Sequence, residues 1–339
     1  MKVNFGKINR ILLIGGGRGL LNCCKILQKD FGCNPFIITS GRHAEAPVGD
    51  STFRNLVSNV NADCLVTDRI DTPAVTDLVR EDSLALSFGA SWIFPPLFVG
   101  RFNGRLLNVH GARLPLDRGA GGFSWKILRG DRRGACCIHV VDDGIDSGDI
   151  VEYSEFLYPL HCRKPVDFYN HTLGMYLPFL KEFLAKVFGG NDFQLRKQDE
   201  AVSTYFPRLN TEKQGMIDWS WTLADIEKFV CAFDDPYPGA ATYYGDLLVR
   251  LRDCFSVSAD GPFHSFISGL VYRKHAGVTY IAAGEGGLAV RRVTDAAGND
   301  CFARIKVGHR LHTPIEFLER AKVFHAAYGS CARVTSTPS

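Results

Sequence analysis

The stretch R-I-L-L-I-G-G-G-R-G, Arg10 to Gly19, places four aliphatic residues in a row immediately before a glycine run. A short apolar run that ends at glycine reads as a buried strand, and the helix-compatible segment that follows, near 18–29, makes it the opening of a βα unit. The alternation continues outward. Apolar strands are expected near 10–15, 35–39, 63–67, 83–88 and 105–109, with helical stretches near 18–29, 51–60 and 73–81 between them. This order predicts an α/β, doubly wound, mostly parallel sheet with helices on both faces. Such sheets bind ligands beyond the carboxyl ends of their strands.

The glycine run does not make a dinucleotide site. The spacing G-x-G-x-x-G needs glycine at position 20, where the chain has Leu20, and the second strand ends at Ser40-Gly41-Arg42 without an acidic residue for a ribose. A glycine loop feeding a helix N-terminus is still an anion cradle. Gly17 and Arg18 are therefore candidate contacts for a substrate phosphate.

Downstream, a helix is expected near 122–129, then strands over Cys136–Val141 and Asp149–Tyr153 separated by the turn Asp142-Asp143-Gly144. A long helix spans about 166–188, with Pro178 inside it and Gly189-Gly190 to end it. Beyond residue 200 a short helix near 222–233 precedes short strands broken by Gly and Asp turns. This part reads as a smaller β-rich, barrel-like domain. The expected division is 1–205 for the first domain, 206–330 for the second, and a disordered tail at 331–339.

Composition narrows the classes. The chain has 339 residues, 46% hydrophobic and 22% charged, as a globular protein of two domains would. Its apolar N-terminal run is far too short for a membrane span and no cleavage signal follows it, which predicts a cytoplasmic protein. Eleven cysteines, two pairs of them adjacent and none spaced C-x-x-C, predict reduced packed thiols and no metal site. A net charge of +3 carries no nucleic-acid footprint.

The chemistry is expected at N-V-H-G-A-R-L-P, Asn108 to Pro115. Residues two apart on a strand share a face, so Asn108 and His110 point into one volume. Asp146, after the Asp142-Asp143-Gly144 turn, ends another strand and can approach the same crevice. An amide, an imidazole and a carboxylate together supply an oxyanion donor, a proton carrier and an orienting charge, the set that acyl transfer needs.

Asn108 to Trp125 followed by C-C-I-H-V-V-D-D-G-I-D-S-G-D-I-V resembles the signature of the folate-dependent formyltransferases: Asn-x-His, then Leu-Pro and a glycine loop, then Ile-Asp-x-Gly after a strand. The resemblance covers roughly residues 10–190. It implies catalytic roles for Asn108, His110 and Asp146, with N10-formyltetrahydrofolate as the one-carbon donor and no metal. It also implies that the loop Ser87–Val99 and the segment before Asp146 form a slot for the pterin ring, matched by Phe88, Trp92, Ile93, Phe94, Val141, Asp142 and Asp143. Where many relatives read S-L-L-P, this chain has Ala112-Arg113-Leu114-Pro115, so Arg113 is a candidate acceptor contact.

The segment from F-P-R-L-N-T-E-K-Q-G-M-I-D-W to F-D-D-P-Y-P-G-A-A-T-Y-Y-G is similar to the linker and second domain of methionyl-tRNA formyltransferases and the larger amino-sugar formyltransferases. The purine-pathway enzyme lacks that domain, which leaves tRNA and a nucleotide-linked amino sugar as acceptors, with an amino-acid-derived amine as a further alternative. Residues 206–339 carry fifteen Lys and Arg against fourteen Asp and Glu, too balanced for gripping an RNA backbone. Tyr237 beside the Pro-Gly turn would stack on a base. The expectation is an N-formyltransferase acting on a sugar nucleotide for a polysaccharide such as an O-antigen, with small-molecule partners and a homodimer, as in many sugar relatives.

Overall fold

The computed structural model describes residues 1–120 and 122–326. The expected tail at 331–339 lies outside them. The first strand, β1 (Arg10–Gly15), is buried along almost its whole length and runs into α1 (Gly17–Phe31). The remaining strands of its sheet are β2 (Phe36–Thr39), β3 (Cys64–Val66), β4 (Ser83–Phe88), β5 (Leu106–His110), β6 (Arg133–Val140) and β7 (Ile150–Leu157). Their spatial order is β7-β6-β5-β4-β1-β2-β3. Chain order reverses between β1 and β4, which places a crevice at the carboxyl ends of the central strands.

The pairings from β3 through β5 are parallel, whereas β6 is antiparallel to both β5 and β7. This mixed edge has a local cause. A two-residue strand, Arg118–Gly119, and α2 (Gly122–Arg129) separate β5 from β6, and the chain enters β6 at the end where it left β5, running from beyond His110 to Leu107. Two expected helices are shorter than the sequence suggested. The one near 51–60 is Phe53–Ser58, capped by the Thr52 side chain, and the one near 73–81 is a single turn, Pro73–Thr76. Both are too short to be held by anything but packing against the sheet.

The core of this sheet is aliphatic: Ile11, Leu13, Leu84, Leu86 and Ile138 meet Leu180, Phe183 and Leu184 of α3 (Pro165–Phe188). The second region begins with α4 (Leu223–Ala232) and continues as β8 (Ala240–Tyr244), β9 (Leu247–Val257), β10 (Val271–His275), β11 (Val278–Ala283), β12 (Gly286–Asp295) and β13 (Leu311–His312). These form one antiparallel sheet in the order β10-β11-β12-β9-β8-β13, curled until its two edges touch at a Leu270–Arg310 bridge. The curl wraps α4 in an apolar interior. All ten cysteines among the described residues are free thiols.

The two regions share a core. Ile127, Tyr158, Cys162 and Phe168 pack into the same cluster as Ile226, Val230 and Leu251. Polar contacts reinforce it: Ser124 Oγ donates to the Ala232 carbonyl at 2.7 Å, and Lys164 Nζ lies 3.5 Å from Asp234. The connecting segment is not a free linker. Tyr205 and Phe206 form a short parallel strand with Arg118 and Gly119, so the point where the sequence divides in two is hydrogen-bonded to the loop after β5.

Gly119 makes that pairing possible. Its φ is +94°, and a Cβ there would sit 2.3 Å from the Phe206 carbonyl oxygen. Gly119→Ala is therefore expected to cost at least about 1–3 kcal/mol from backbone strain and to loosen residues 204–206. A lower melting temperature with faster hydrogen exchange at Ala120 and Phe206 is the expected result; unchanged exchange there would show the pairing to be dispensable.

Candidate functional site

The antiparallel register of β5 on β6 sets Asn108 opposite His139 and His110 opposite Cys137. Asp146 arrives from the β6–β7 loop, carrying an unusual backbone conformation for a residue with a side chain, φ +54°. The expected trio thus meets, with a fourth member that the sequence reading did not single out. Asn108 Nδ2 lies 3.1 Å from His139 Nε2 and donates to Asp146 Oδ1 at 3.3 Å. His110 Nδ1 is 3.7 Å and His139 Nε2 is 3.5 Å from the same Asp146 oxygen.

The hydrogen bonds fix proton positions. His139 Nδ1 is 2.9 Å from the Val140 carbonyl, which can only accept, so Nδ1 carries the hydrogen and Nε2 takes one from Asn108. His110 Nε2 faces the Asp117 carbonyl at 3.2 Å by the same logic, leaving Nδ1 toward Asp146. Both amide hydrogens of Asn108 are consequently engaged within the cluster. For Asn108 to meet a developing oxyanion, the longer of its two bonds, to Asp146, is the one to release.

Burial alone would push the Asp146 carboxyl up, but the neighbouring His110 and His139 imidazoles and the Gly119 amide, 2.9 Å from Oδ2, together hold it well below the usual carboxylate range. It stands as a fixed negative charge at neutral pH. The heteroatoms of His110, His139 and Asp146 lie within 4.8 Å of one another, near enough to share a cation, and their hydrogen bonds to Asn108, Asp117, Gly119 and Val140 account for the arrangement.

The loop from Gly111 to Gly119 is clamped by buried charge. Asp117 is 5% exposed and receives Lys126 Nζ at 2.6 Å and Arg129 at 2.5 Å, while Arg113 pairs with Asp131. Lys126 itself is 1% exposed. This clamp fixes the Asp117 carbonyl against His110.

A cavity of about 480 Å³ opens beside these groups, a volume suited to a small-molecule ligand. Trp92, Ile93, Phe94, Val141, Asp142 and Asp143 line one side, as the sequence suggested. Trp92 is anchored by its indole N–H to the Asp68 carbonyl at 3.0 Å, and Ile93 is half exposed at the mouth. Phe123, Trp125, Tyr205 and Phe206 also line the cavity, with Arg42 and Arg208.

Several expected contacts lie elsewhere. Phe88, 7% exposed, points into the core toward Gly19 rather than into the cavity. Gly17 and Arg18 are not on the cavity wall among the described residues: the Tyr169 hydroxyl faces the Arg18 and Gly19 amides, and the Arg18 guanidinium donates to Asn170. The helix cradle is filled from within the protein. Arg113 is 4% exposed and engaged by Asp131, so its charge is structural. Tyr237 sits in the turn after α4, its amide on the Asp234 carbonyl, away from the cavity.

His139 was visible as the one polar residue in C-C-I-H-V-V, two positions from a cysteine on the same strand face. The contributions of Gly119, Trp125, Tyr205 and Phe206 had no sequence signal, because they depend on the linker returning to the β5 loop.

A sheet of this order with Asn108, His110 and Asp146 meeting beside a cavity defines a class of group-transfer enzyme, and comparison with known proteins agrees. Residues 64–157 match the formyl transferase family model, and residues 210–305 match that of the formyl transferase C-terminal domain. The chain belongs to the folate-dependent formyltransferase superfamily. It is 28% identical over 248 residues to a methionyl-tRNA formyltransferase of Rickettsia massiliae, covering 72% of this chain and 71% of the relative. The sugar 3N-formyltransferase WlaRD, solved with dTDP and 5-N-formyl-THF, has the same fold at 17% identity, with a TM-score of 0.64 over 86% of this chain and 99% of its own. The N-formyltransferase from Helicobacter canadensis, in complex with folinic acid and dTDP-3-aminofucose, gives 16% and 0.62 over 84% and 98%.

The depressed Asp146 carboxyl sets a pH dependence. A group with a lowered folded-state pKa contributes stability that is fully present above its unfolded value, about 3.9, and is lost as pH falls further. The difference in unfolding free energy between the wild type and Asp146→Asn is therefore expected to shrink as pH drops below about 4, in chemical denaturation. A gap that stays constant from neutral pH to 3 would contradict the assigned environment.

Proposed function

We propose that this enzyme transfers a formyl group from N10-formyltetrahydrofolate to the primary amine of a nucleotide-linked deoxyamino sugar. The observation that carries formyl transfer is the convergence of Asn108, His110 and Asp146 at the wall of a cavity large enough for a pterin. The Ile93, Phe94 and Val141–Asp143 lining of the cavity suits a heteroaromatic ring, whose edge would meet backbone groups of that loop.

In this reading the acceptor amine attacks the formyl carbon and negative charge develops on the formyl oxygen. Asn108 gives up its long bond to Asp146 and donates to that oxygen, while His110 carries the proton lost by the amine. Asp146 holds the resulting imidazolium by charge, and the Asp117 carbonyl keeps the ring from turning. The intermediate then collapses as the formyl C–N10 bond breaks and the proton held by His110 passes to N10, releasing tetrahydrofolate and the formamide. An oxyanion donor of this kind lowers the barrier by about 3–4 kcal/mol.

The acceptor is read from the charged residues of the cavity wall. Arg42 and Arg208 there suit a diphosphate, and the balanced charge of residues 206–339 argues against an RNA backbone. The fold relatives bound to dTDP ligands are consistent with this, and we extend the proposal to a role in building an O-antigen or similar polysaccharide, as a cytoplasmic homodimer. The sequence relatives favour a second acceptor, methionyl-tRNA.

Incubation with N10-formyltetrahydrofolate and either dTDP-3-aminofucose or charged initiator tRNA separates the two. Formylation of the amino sugar with little dependence on salt is expected. Formylation of the tRNA alone, with affinity falling by ~10³–10⁵ between 50 and 200 mM salt, would replace the proposed acceptor. His110→Ala should keep its circular dichroism spectrum and lose turnover by ~10²–10⁴; a variant that turns over normally would remove His110 from the chemistry.

A further inference from the structure

Gln198 lies between the two family-matched regions, on the segment that connects the sheet domain to the curled domain. Its side chain touches neither the catalytic carboxylate nor the imidazoles. It spans the two backbone segments that hold them. Nε2 donates to the carbonyl oxygens of Asp146 and Gly148, each at 2.7 Å, so both amide hydrogens go to the loop that carries the carboxylate. Oε1 accepts from the Arg118 guanidinium at 3.0 Å and 2.9 Å. Arg118 precedes Gly119, whose amide grips Asp146 Oδ2.

We infer that Gln198 is a positioning residue: its carboxamide bridges the Asp146 loop to the Arg118–Gly119 strand and thereby holds the catalytic carboxylate against His110. Two features call for such a bridge. Asp146 has φ +54°, a conformation that non-glycine residues keep only when their surroundings enforce it. The flanking turn, Asp142 to Ile145, is exposed and supplies little packing of its own.

The bridge also has a fixed anchor. Arg118 is 8% exposed and reaches on to Glu200 at 2.7 Å, and the chain then pairs Tyr205 and Phe206 with Arg118 and Gly119. One connecting segment thus supplies the amide that orients the Asp146 backbone and the strand that orients the Gly119 N–H. The groups facing the Asp146 carboxylate are His110, His139, Asn108 and the Gly119 amide, with the Cys137 thiol behind them. Loss of Gln198 leaves all of these in place but frees the loop to turn its carboxylate away.

This inference rests on the catalytic role proposed for Asp146, so it is tested by two independent readouts on the full chain. The first is turnover of N10-formyltetrahydrofolate with dTDP-3-aminofucose in the wild type, Gln198→Ala, Gln198→Met and Asp146→Asn. The second is the Asp146 carboxyl titration followed by carbon-13 NMR in the first three, which needs no acceptor. For both Gln198 variants kcat is expected to fall by up to ~10²-fold, as a small misplacement of a reacting group does, with the folate KM within about twofold. The Asp146 carboxyl should titrate upward, toward the ordinary range.

Wild-type kcat in both variants, or lost kcat with an unshifted carboxyl titration, would overturn the positioning role. Asp146→Asn with full activity would instead overturn the proposed function, and the titration would still decide whether Gln198 holds the loop. Gln198→Met keeps the side-chain length without hydrogen bonds, so it decides the matter if Gln198→Ala does not fold.

Discussion

The antiparallel pairing of β5 with β6 is the constraint from which the site follows. In a sheet otherwise wound by parallel crossovers, this one reversal puts Asn108 directly across from His139 and carries β6 down to Leu107, from where the β6–β7 loop folds back and brings Asp146 onto both. Had β6 run parallel to β5, its downstream loop would have opened at the opposite end of β5, away from the end where the loop carrying Asp146 now begins. The register matters as much as the direction. A slip of one residue would turn His139 to the other face of the sheet and leave the Asn108 amide facing an aliphatic side chain.

Around that pairing the protein uses charge in two different ways. Asp146 is surrounded by donors and ring nitrogens and stays ionised beside the cavity, where its charge is available to a proton in transit. Asp117 is more deeply placed and fully committed, paired with Lys126 and Arg129 and approached by Arg113. Burying Lys126 in an apolar surround lowers its pKa, opposed by the Asp117 charge, and breaking such a pair costs about 3–5 kcal/mol because the remaining charge is left without a partner. The first pair of groups does chemistry in the proposed reading; the second holds a backbone carbonyl where His110 needs it. Arg113 belongs to the second set, which explains why its charge beside the histidine does not reach a ligand.

The connecting segment joins the two halves of the chain mechanically. It pairs with the β5 loop, contributes Tyr205 and Phe206 to the cavity wall, and ties the Asp146 loop to Arg118 through Gln198. The shared apolar core between α2, α3 and α4 keeps the curled domain against this segment. The second domain therefore bears on the site through the segment that precedes it, not by lending its own tyrosines: Tyr237 and the Pro-Gly turn stay at a distance.

The sequence by itself determined the sheet, since short aliphatic runs such as Ile11–Ile14 and Leu84–Leu86 lead into glycine and alternate with helix-compatible segments, which marks them as buried strands. The shared face of Asn108 and His110 was determined in the same way, since that follows from the two-residue period. It also carried the Asp146 motif and the apolar loop Ser87–Val99 through composition and order. Tertiary structure alone decided what depends on distant segments meeting: that Tyr169 would occupy the amides after the glycine run, that His139 would complete the cluster, and that Gly119 and Gln198 would grip Asp146 from two sides. Those choices turn on hydrogen bonds between residues from 27 to 151 positions apart, and local pattern carries no information about which partner a polar group finds when the chain closes on itself.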